Sequence, residues 1–185
     1  MKLEKTDVDG LLMAFPERIH DDRGYFQERF SCREFYDLSG VEFVPSQFNE
    51  SFSVKNTCRG LHYQCGKNSQ AKVVWVSDGI VEDFVVDMRK GSPTFMSVFH
   101  TTLSGSSRKM LFIPKGMAHG FMAVTDCRFC YLCDSMYDPS SSRTVWFFDE
   151  ALKICCESFI DGPAIMSGKD RNGTRIGDVN FGEVL

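Results

Sequence analysis

Apolar positions along the chain gather in short runs rich in Val, Phe, Ile and Thr, and Gly, Pro, Ser or Asp closes each run. Such segments predict strands. They are "GLLMAF", "GYFQERF", "VEFVPSQFNESFS", "AKVVWV", "GIVEDFVVDM", "FMSVFHTTL", "KMLFIP", "GFMAVT", "RFCYLCDS" and "TVWFF". The stretch "VVWVSDGIVEDF" sets an Asp-Gly step between two such runs, which predicts a hairpin. A helical pattern occurs in "CREFYDLSG", closed by Gly40, and in a short stretch around "DEALKI". Many short strands with few, short helices predict an all-β fold, an antiparallel sandwich or barrel of the jelly-roll kind.

Composition narrows this picture. At 185 residues and 21.0 kDa, without repeats or a linker-like stretch, the chain reads as one domain spanning residues 1–185. Its 17 phenylalanines favour a β-rich core. The net charge is -4 and no basic run occurs, so neither nucleic acid nor an acidic membrane is an expected partner. The opening "MKLEKTDVDG" is charged where a signal peptide needs an apolar stretch, and no apolar run is long enough to span a bilayer. A soluble, cytoplasmic protein is expected, with its 8 cysteines present as reduced thiols. No GxGxxG follows a strand and no GxxxxGK[ST] occurs, which argues against dinucleotide hydride transfer and P-loop phosphoryl transfer.

Three chemistries compete for the polar residues. In "RGLHYQ", His62 precedes Gln64 where a cupin metal site has a second histidine, although "PKGMAHGF" resembles the second cupin motif and contains His119. His20 and His100 sit in no ligand-like spacing, so no metal is expected. Cys127, Cys130 and Cys133 form CxxCxxC, but on a strand Cys130 faces away from the other two, which stand about 20 Å apart. They read as structural thiols. The third chemistry is metal-free proton transfer: His62 as base, Tyr131 as proton donor and Lys72 as a fixed cation match proton abstraction beside a carbonyl. Taken singly, each reads better as an ordinary core, surface or strand residue.

The motifs "DDRGYFQE", "QFNES", "RGLHYQ", "QAKVVWVSDG", "VVDMRKGSPTF", "IPKGMAHGF" and "YDPSS", in this order over most of the chain, resemble the dTDP-4-dehydrorhamnose 3,5-epimerase family. That family is a metal-free branch of the cupins, so the resemblance implies a cupin-type jelly roll without a cofactor. It implies epimerisation at C3 and C5 of a nucleotide-linked 4-keto-6-deoxy hexose, with His62 as base, Tyr131 as acid, Lys72 stabilising the enolate and Asp170, from "SGKD", orienting His62. Substrate-binding positions carry over as Arg23, Glu28, Gln47, Asn49, Arg59, His119 and Lys169, with Tyr137 stacking on the nucleotide base. The resemblance also implies a homodimer with shared N-terminal strands, in which Arg23 reaches the partner's site. Asp83 is a second carboxylate that either points inward or is a satisfied strand residue.

Three departures border the expected pocket. Ser142 stands where the family usually has a glutamate, Met136 where a further tyrosine often precedes Tyr137, and Cys155 and Cys156 lie near the place of a missing Trp-Pro. Inversion at C3 alone, or another carrier nucleotide, is therefore an alternative within the same chemistry. From other classes, a silent sugar-nucleotide binding cupin conflicts with retention of His62, Lys72, Tyr131 and Asp170 together. A metal-dependent cupin oxygenase conflicts with Gln64.

Overall fold

The computed structural model describes residues 1–154 and 158–185. In chain order its elements are β1 (Lys2–Lys5), β2 (Leu12–Phe15), β3 (Ile19–Asp21), β4 (Gly24–Phe26), α1 (Cys32–Ser39), β5 (Gln47–Ser53), β6 (Cys58–Gln64), β7 (Lys72–Asp78), β8 (Ile80–Asp87), β9 (Val98–Ser104), β10 (Met110–Ile113), β11 (Met117–Ala123), β12 (Cys127–Cys133), β13 (Ser142–Thr144) and α2 (Gly168–Arg171). One antiparallel sheet runs β1-β2-β10-β7-β12-β5 and a second runs β13-β6-β11-β8-β9. Strands β3 and β4 form a separate exposed hairpin. The architecture is the cupin-type jelly roll expected from the motifs.

Alternation along each strand builds the layers. Val74 and Val76 of β7, Val81 and Val85 of β8, Phe121 of β11 and Phe129 of β12 pack together in one buried cluster between the sheets. The alternate residues Phe84 and Val86 of β8 are also buried, because Phe147, Leu152, Ile176 and Val184 of the C-terminal segment cover that face. Helix α1 covers part of the other sheet: Phe35 is fully buried against Phe43, Phe112 and Trp75. Truncating a buried Phe of this kind costs about 3–5 kcal/mol. The helix starts where the Ser31 side chain accepts the Glu34 amide at 3.3 Å and ends at Gly40, whose φ of 70° lets its N–H reach the Tyr36 carbonyl.

The structure corrects the hairpin expected at Asp78-Gly79. Strands β7 and β8 lie in different sheets, because β7 is already flanked by β10 and β12 and β8 by β11 and β9. Gly79 alone carries the chain across; it has φ +81°, and a Cβ there would come within 2.1 Å of the Asp126 carbonyl. Several strands are shorter than expected, among them "FMSVFHTTL", which is strand only from Val98. "GYFQERF" is strand only to Phe26, "VEFVPSQFNESFS" only from Gln47, and in "TVWFF" the ladder ends at Thr144, with Val145 making one isolated bridge to Thr174. The stretch around "DEALKI" is a single 3-10 turn, Glu150–Leu152, capped by Asp149. Cys155 and Cys156 lie outside the described residues. Along β12 the expected alternation holds: Cys127 packs with Phe129 in the inner cluster, and Cys130 packs on the opposite face. Among the described residues no helix is long and apolar enough to cross a membrane.

Candidate active site

A cavity of about 430 Å³ opens between the two sheets. The six-stranded sheet contributes alternate residues of neighbouring strands: Gln47, Asn49 and Ser51 of β5, then Phe129, Tyr131 and Cys133 of β12, then Lys72 of β7. Ladder register sets Asn49 opposite Tyr131 and Cys133 opposite Lys72. The five-stranded sheet contributes Arg59, His62 and Gln64 of β6 and His119 and Phe121 of β11. His62 and Tyr131 thus enter the cavity from opposite layers.

Two glycines let β6 and β11 close up beside His62. A Cβ on Gly60, whose φ is +115°, would lie 2.7 Å from Gly120 Cα, and one on Gly120 would lie 2.5 Å from the Arg59 carbonyl. His62 and His119 are ladder partners there.

His62 Nε2 hydrogen-bonds Asp170 Oδ1. Asp170 is buried in α2, where the Ser167 hydroxyl accepts its amide N–H at 3.1 Å and donates to Oδ2 at 2.8 Å. Burial pushes the Asp170 carboxyl up, but the bond and charge of His62, with Ser167 and Lys169, outweigh it and hold the group below its ordinary range. His119 Nε2 meets both oxygens of Asp83, at 3.1 and 2.9 Å. Asp83 therefore points inward and is satisfied at the same time. Burial raises its carboxyl pKa despite the opposing pull of His119.

Burial also lowers the Lys72 ammonium pKa, against the negative influence of Cys133 and Asp83. The Tyr131 phenol is raised, first by burial and then by Cys133, while Arg59 opposes. Arg59 donates through Nε to Ser53 at 2.9 Å and through Nη2 to the Phe52 carbonyl at 3.0 Å, which fixes the guanidinium at the wall. Lys169 Nζ donates to Ser142 Oγ at 2.8 Å. Arg59, Lys72 and Lys169 line the cavity, whereas the lining holds no carboxylate among the described residues. An acidic chain therefore presents a cationic pocket, suited to a phosphorylated anion.

Nine of the residues expected from the sequence line this cavity: His62, Lys72, Tyr131, Gln47, Asn49, Arg59, His119, Tyr137 and Lys169. Asp170 stands behind His62. Arg23 and Glu28 do not line it; Arg23 is exposed at the β3–β4 turn, its guanidinium on Asp21 at 2.5 Å. The sequence reading missed Ser51, Gln70, Phe121, Phe129 and Cys133, all on the lining. Ser51, Phe121, Phe129 and Cys133 each lie two residues along a strand from an expected site residue, so strand alternation was the signal that could have found them, whereas Gln70 lies ahead of β7.

A histidine with its own carboxylate on one wall, a phenol on the facing wall and a buried ammonium beside them can remove a proton, stabilise the resulting anion and return a proton from the other side.

Residues 5–178 match the family model described as dTDP-4-dehydrorhamnose 3,5-epimerase. The chain is 36% identical over 184 residues to the dTDP-4-dehydrorhamnose 3,5-epimerase of Shigella flexneri, covering 98% of this chain and 99% of the relative. It is 32% identical over 186 residues to the dTDP-4-dehydrorhamnose 3-epimerase of Streptomyces niveus, covering 100% of this chain and 88% of the relative. Among solved structures, dTDP-6-deoxy-D-glucose-3,5-epimerase from Legionella pneumophila in complex with dTDP-4-keto-L-rhamnose superposes with a TM-score of 0.90 at 34% identity. That match covers 97% of this chain and 94% of the other.

Proposed function

The chain belongs to the dTDP-4-dehydrorhamnose 3,5-epimerase family, and from that premise we propose how its residues invert C3 and C5 of dTDP-4-dehydro-6-deoxyglucose. It is an epimerase, and the observation that carries the residue assignment is the entry of His62 and Tyr131 from opposite sheets. Both C3 and C5 are α to the C4 ketone, so one carbonyl acidifies both C–H bonds and the proton transfers call for no cofactor. His62 takes the proton, and the imidazolium formed is stabilised by Asp170. Negative charge moves to the C4 oxygen, where Lys72 offsets it; this charge exists only along the reaction path, so the contact accelerates the reaction. Tyr131 then protonates the carbon from the other face, and inversion is complete.

Arg59 and Lys169 hold the diphosphate and sugar, Gln47, Asn49 and His119 line the sugar's place, and Tyr137 stacks on the base. Residues 1–185 act as one catalytic unit. The unit works as a homodimer whose N-terminal strands are shared, with Arg23 and Glu28 completing the partner's site. Support comes from the outer edge of β5, which ends its sheet with Phe48 and Phe52 exposed, and from exposed Ile19, Tyr25 and Phe26 on the β3–β4 hairpin. A cytoplasmic location agrees with thiols, rather than disulfides, at Cys32, Cys65, Cys127, Cys130 and Cys133.

Incubation with dTDP-4-dehydro-6-deoxyglucose in deuterated water tests the reading. Deuterium at both C3 and C5, counted by proton NMR, is the expected result, abolished in His62→Ala. Tyr131→Phe is expected to retain exchange without inversion. The likeness to a 3-epimerase favours a second reading, inversion at C3 only, which label at C3 alone would establish. Absence of label at both carbons would overturn the assignment.

A further inference from the structure

Tyr137 sits at the cavity mouth in the segment between β12 and β13, with 53% of its surface exposed, and its ring is held by no regular element. Its backbone is another matter. The Tyr137 N–H donates to Gln47 Oε1 at 3.0 Å. The next N–H, of Asp138, donates to Gln64 Oε1 at 2.6 Å, and the preceding carbonyl, of Met136, accepts from Gln64 Nε2 at 3.2 Å. Gln64 Nε2 also donates to the Asn68 carbonyl at 2.7 Å. Two glutamines, one from each sheet, therefore grip the peptide groups on both sides of Tyr137.

Gln64 is itself buried, at 4% exposure, two residues after His62 on the same face of β6. A histidine there would offer no group able to accept from one peptide N–H while donating to two carbonyls. Polar groups as buried as this amide are retained where their partners need them. Here the partners are the loop that carries Tyr137.

We propose that Gln64 is a positioning residue for nucleotide recognition: its amide sets the Tyr137 backbone, and thereby the angle at which the ring meets the base. This rests on the reading of Tyr137 as the base-stacking residue. The same segment is also tied by the side chain of Asn68, whose Nδ2 donates to Asp138 Oδ2 and to Ser141 Oγ at 2.8 Å, although Gln64 holds the Asn68 carbonyl too. Loss of Gln64 alone thus loosens the loop without detaching it.

Calorimetric titration of the full chain with dTDP, together with steady-state kinetics, separates the possibilities. Tyr137→Ala is expected to weaken dTDP binding about tenfold or more, the size of one lost base–aromatic stack. Gln64→Leu is expected to weaken it about fivefold, raising KM more than it lowers kcat, and to add nothing when built into Tyr137→Ala, since residues acting through one another are not additive. Equal weakening by Gln64→Leu in both backgrounds, unchanged dTDP binding, or a fall in kcat with KM unchanged would each overturn the proposal. Should Gln64→Leu fail to fold, Gln64→Glu keeps the acceptor for Asp138 N–H but turns an oxygen toward the Met136 and Asn68 carbonyls, and the same cycle applies. Unchanged dTDP binding in Tyr137→Ala would instead refute base stacking itself, whatever Gln64 does.

Discussion

His62 and His119 stand opposite one another across the β6–β11 ladder, and each is tied to a different aspartate. Their surroundings differ in the way a division of labour requires. The His62 side chain is 35% exposed and that of His119 is 8%. Asp170 is held below the ordinary carboxylate range, whereas burial pushes Asp83 above it. An ionised carboxylate stabilises a neighbouring imidazolium; one whose charged form is disfavoured does so less. The couple open to substrate is also the one whose carboxylate is held in its charged form, which supports the proposed proton removal by His62 and a binding role for His119.

Asp170→Asn should lower kcat by about 10²-fold or more, the scale of a general base that loses its effectiveness, with KM changed far less. Asp83→Asn should affect KM at least as much as kcat. Solvent-deuterium exchange rates measured for both variants check this, and equal losses in kcat would remove the distinction between the two couples.

Lys72 sets the alkaline side of the pH profile. Burial disfavours its charged form, so the ammonium is lost below the 10.5 of a solvated lysine. Tyr131 shifts the opposite way, above its ordinary 10.0, because burial disfavours the phenolate. The rate should accordingly fall with rising pH as Lys72 loses its charge. Lys72→Arg, always charged, should shift that limb upward even at reduced kcat, and Lys72→Met should lose about 10²–10³ in kcat as an anion-stabilising donor is removed. An unmoved limb in Lys72→Arg would show that another group sets it.

Outside the cavity lining, Asp87 fastens the β8–β9 connection: it accepts from Arg89 Nε and Nη2 at 2.8 Å each, from Ser92 Oγ at 2.6 Å and from Thr94 Oγ1 at 2.8 Å. Burial alone would raise its pKa, but these bonds bring it down to about 2. The folded value lies below the ordinary 3.8, so the unfolded chain binds the proton more readily. The stabilisation is complete above that pH and is lost as pH falls toward 2. Asp87→Ala should cost about 3 kcal/mol at neutral pH, the range of a buried pair broken on one side, and should flatten the acid limb of Tm against pH. Calorimetric melts from pH 2 to 7 measure both.

Period-two alternation made most strands legible, and the helical pattern closed by Gly40 made α1 so, while the Ser31 cap emerged only in the structure. The Asp-Gly turn misled because a hairpin and a step between layers share the same local pattern; what decides is which edges of β7 and β8 are taken, and β10 to β12 come later in the chain. The site divides in the same way. Ser51, Phe129 and Cys133 were readable two residues from Asn49 and Tyr131. The His62–Asp170 bond joins residues 108 apart, and spacing carries no trace of it; the family motifs supplied it. Gln64 read as a missing ligand because its partners, Met136 and Asp138, reach it only after β12 has folded back.

The proposed shared-strand dimer makes a prediction that neither subunit alone can satisfy. If Arg23 serves the partner's site while His62 serves its own, each site takes one residue from each chain. His62→Ala and Arg23→Ala homodimers should then both be nearly inactive, for different reasons. In a mixed dimer, the site that uses His62 of the Arg23→Ala chain receives an intact Arg23 from the other chain, and the second site carries both defects. Refolding the two variants together in equal amounts makes half the dimers mixed, each with one working site. About a quarter of wild-type activity should return, as the two-fold symmetry of an isologous dimer requires. Mixing that restores nothing would place Arg23 in its own subunit's site or outside the reaction, and a monomer in sedimentation would remove the dimer altogether.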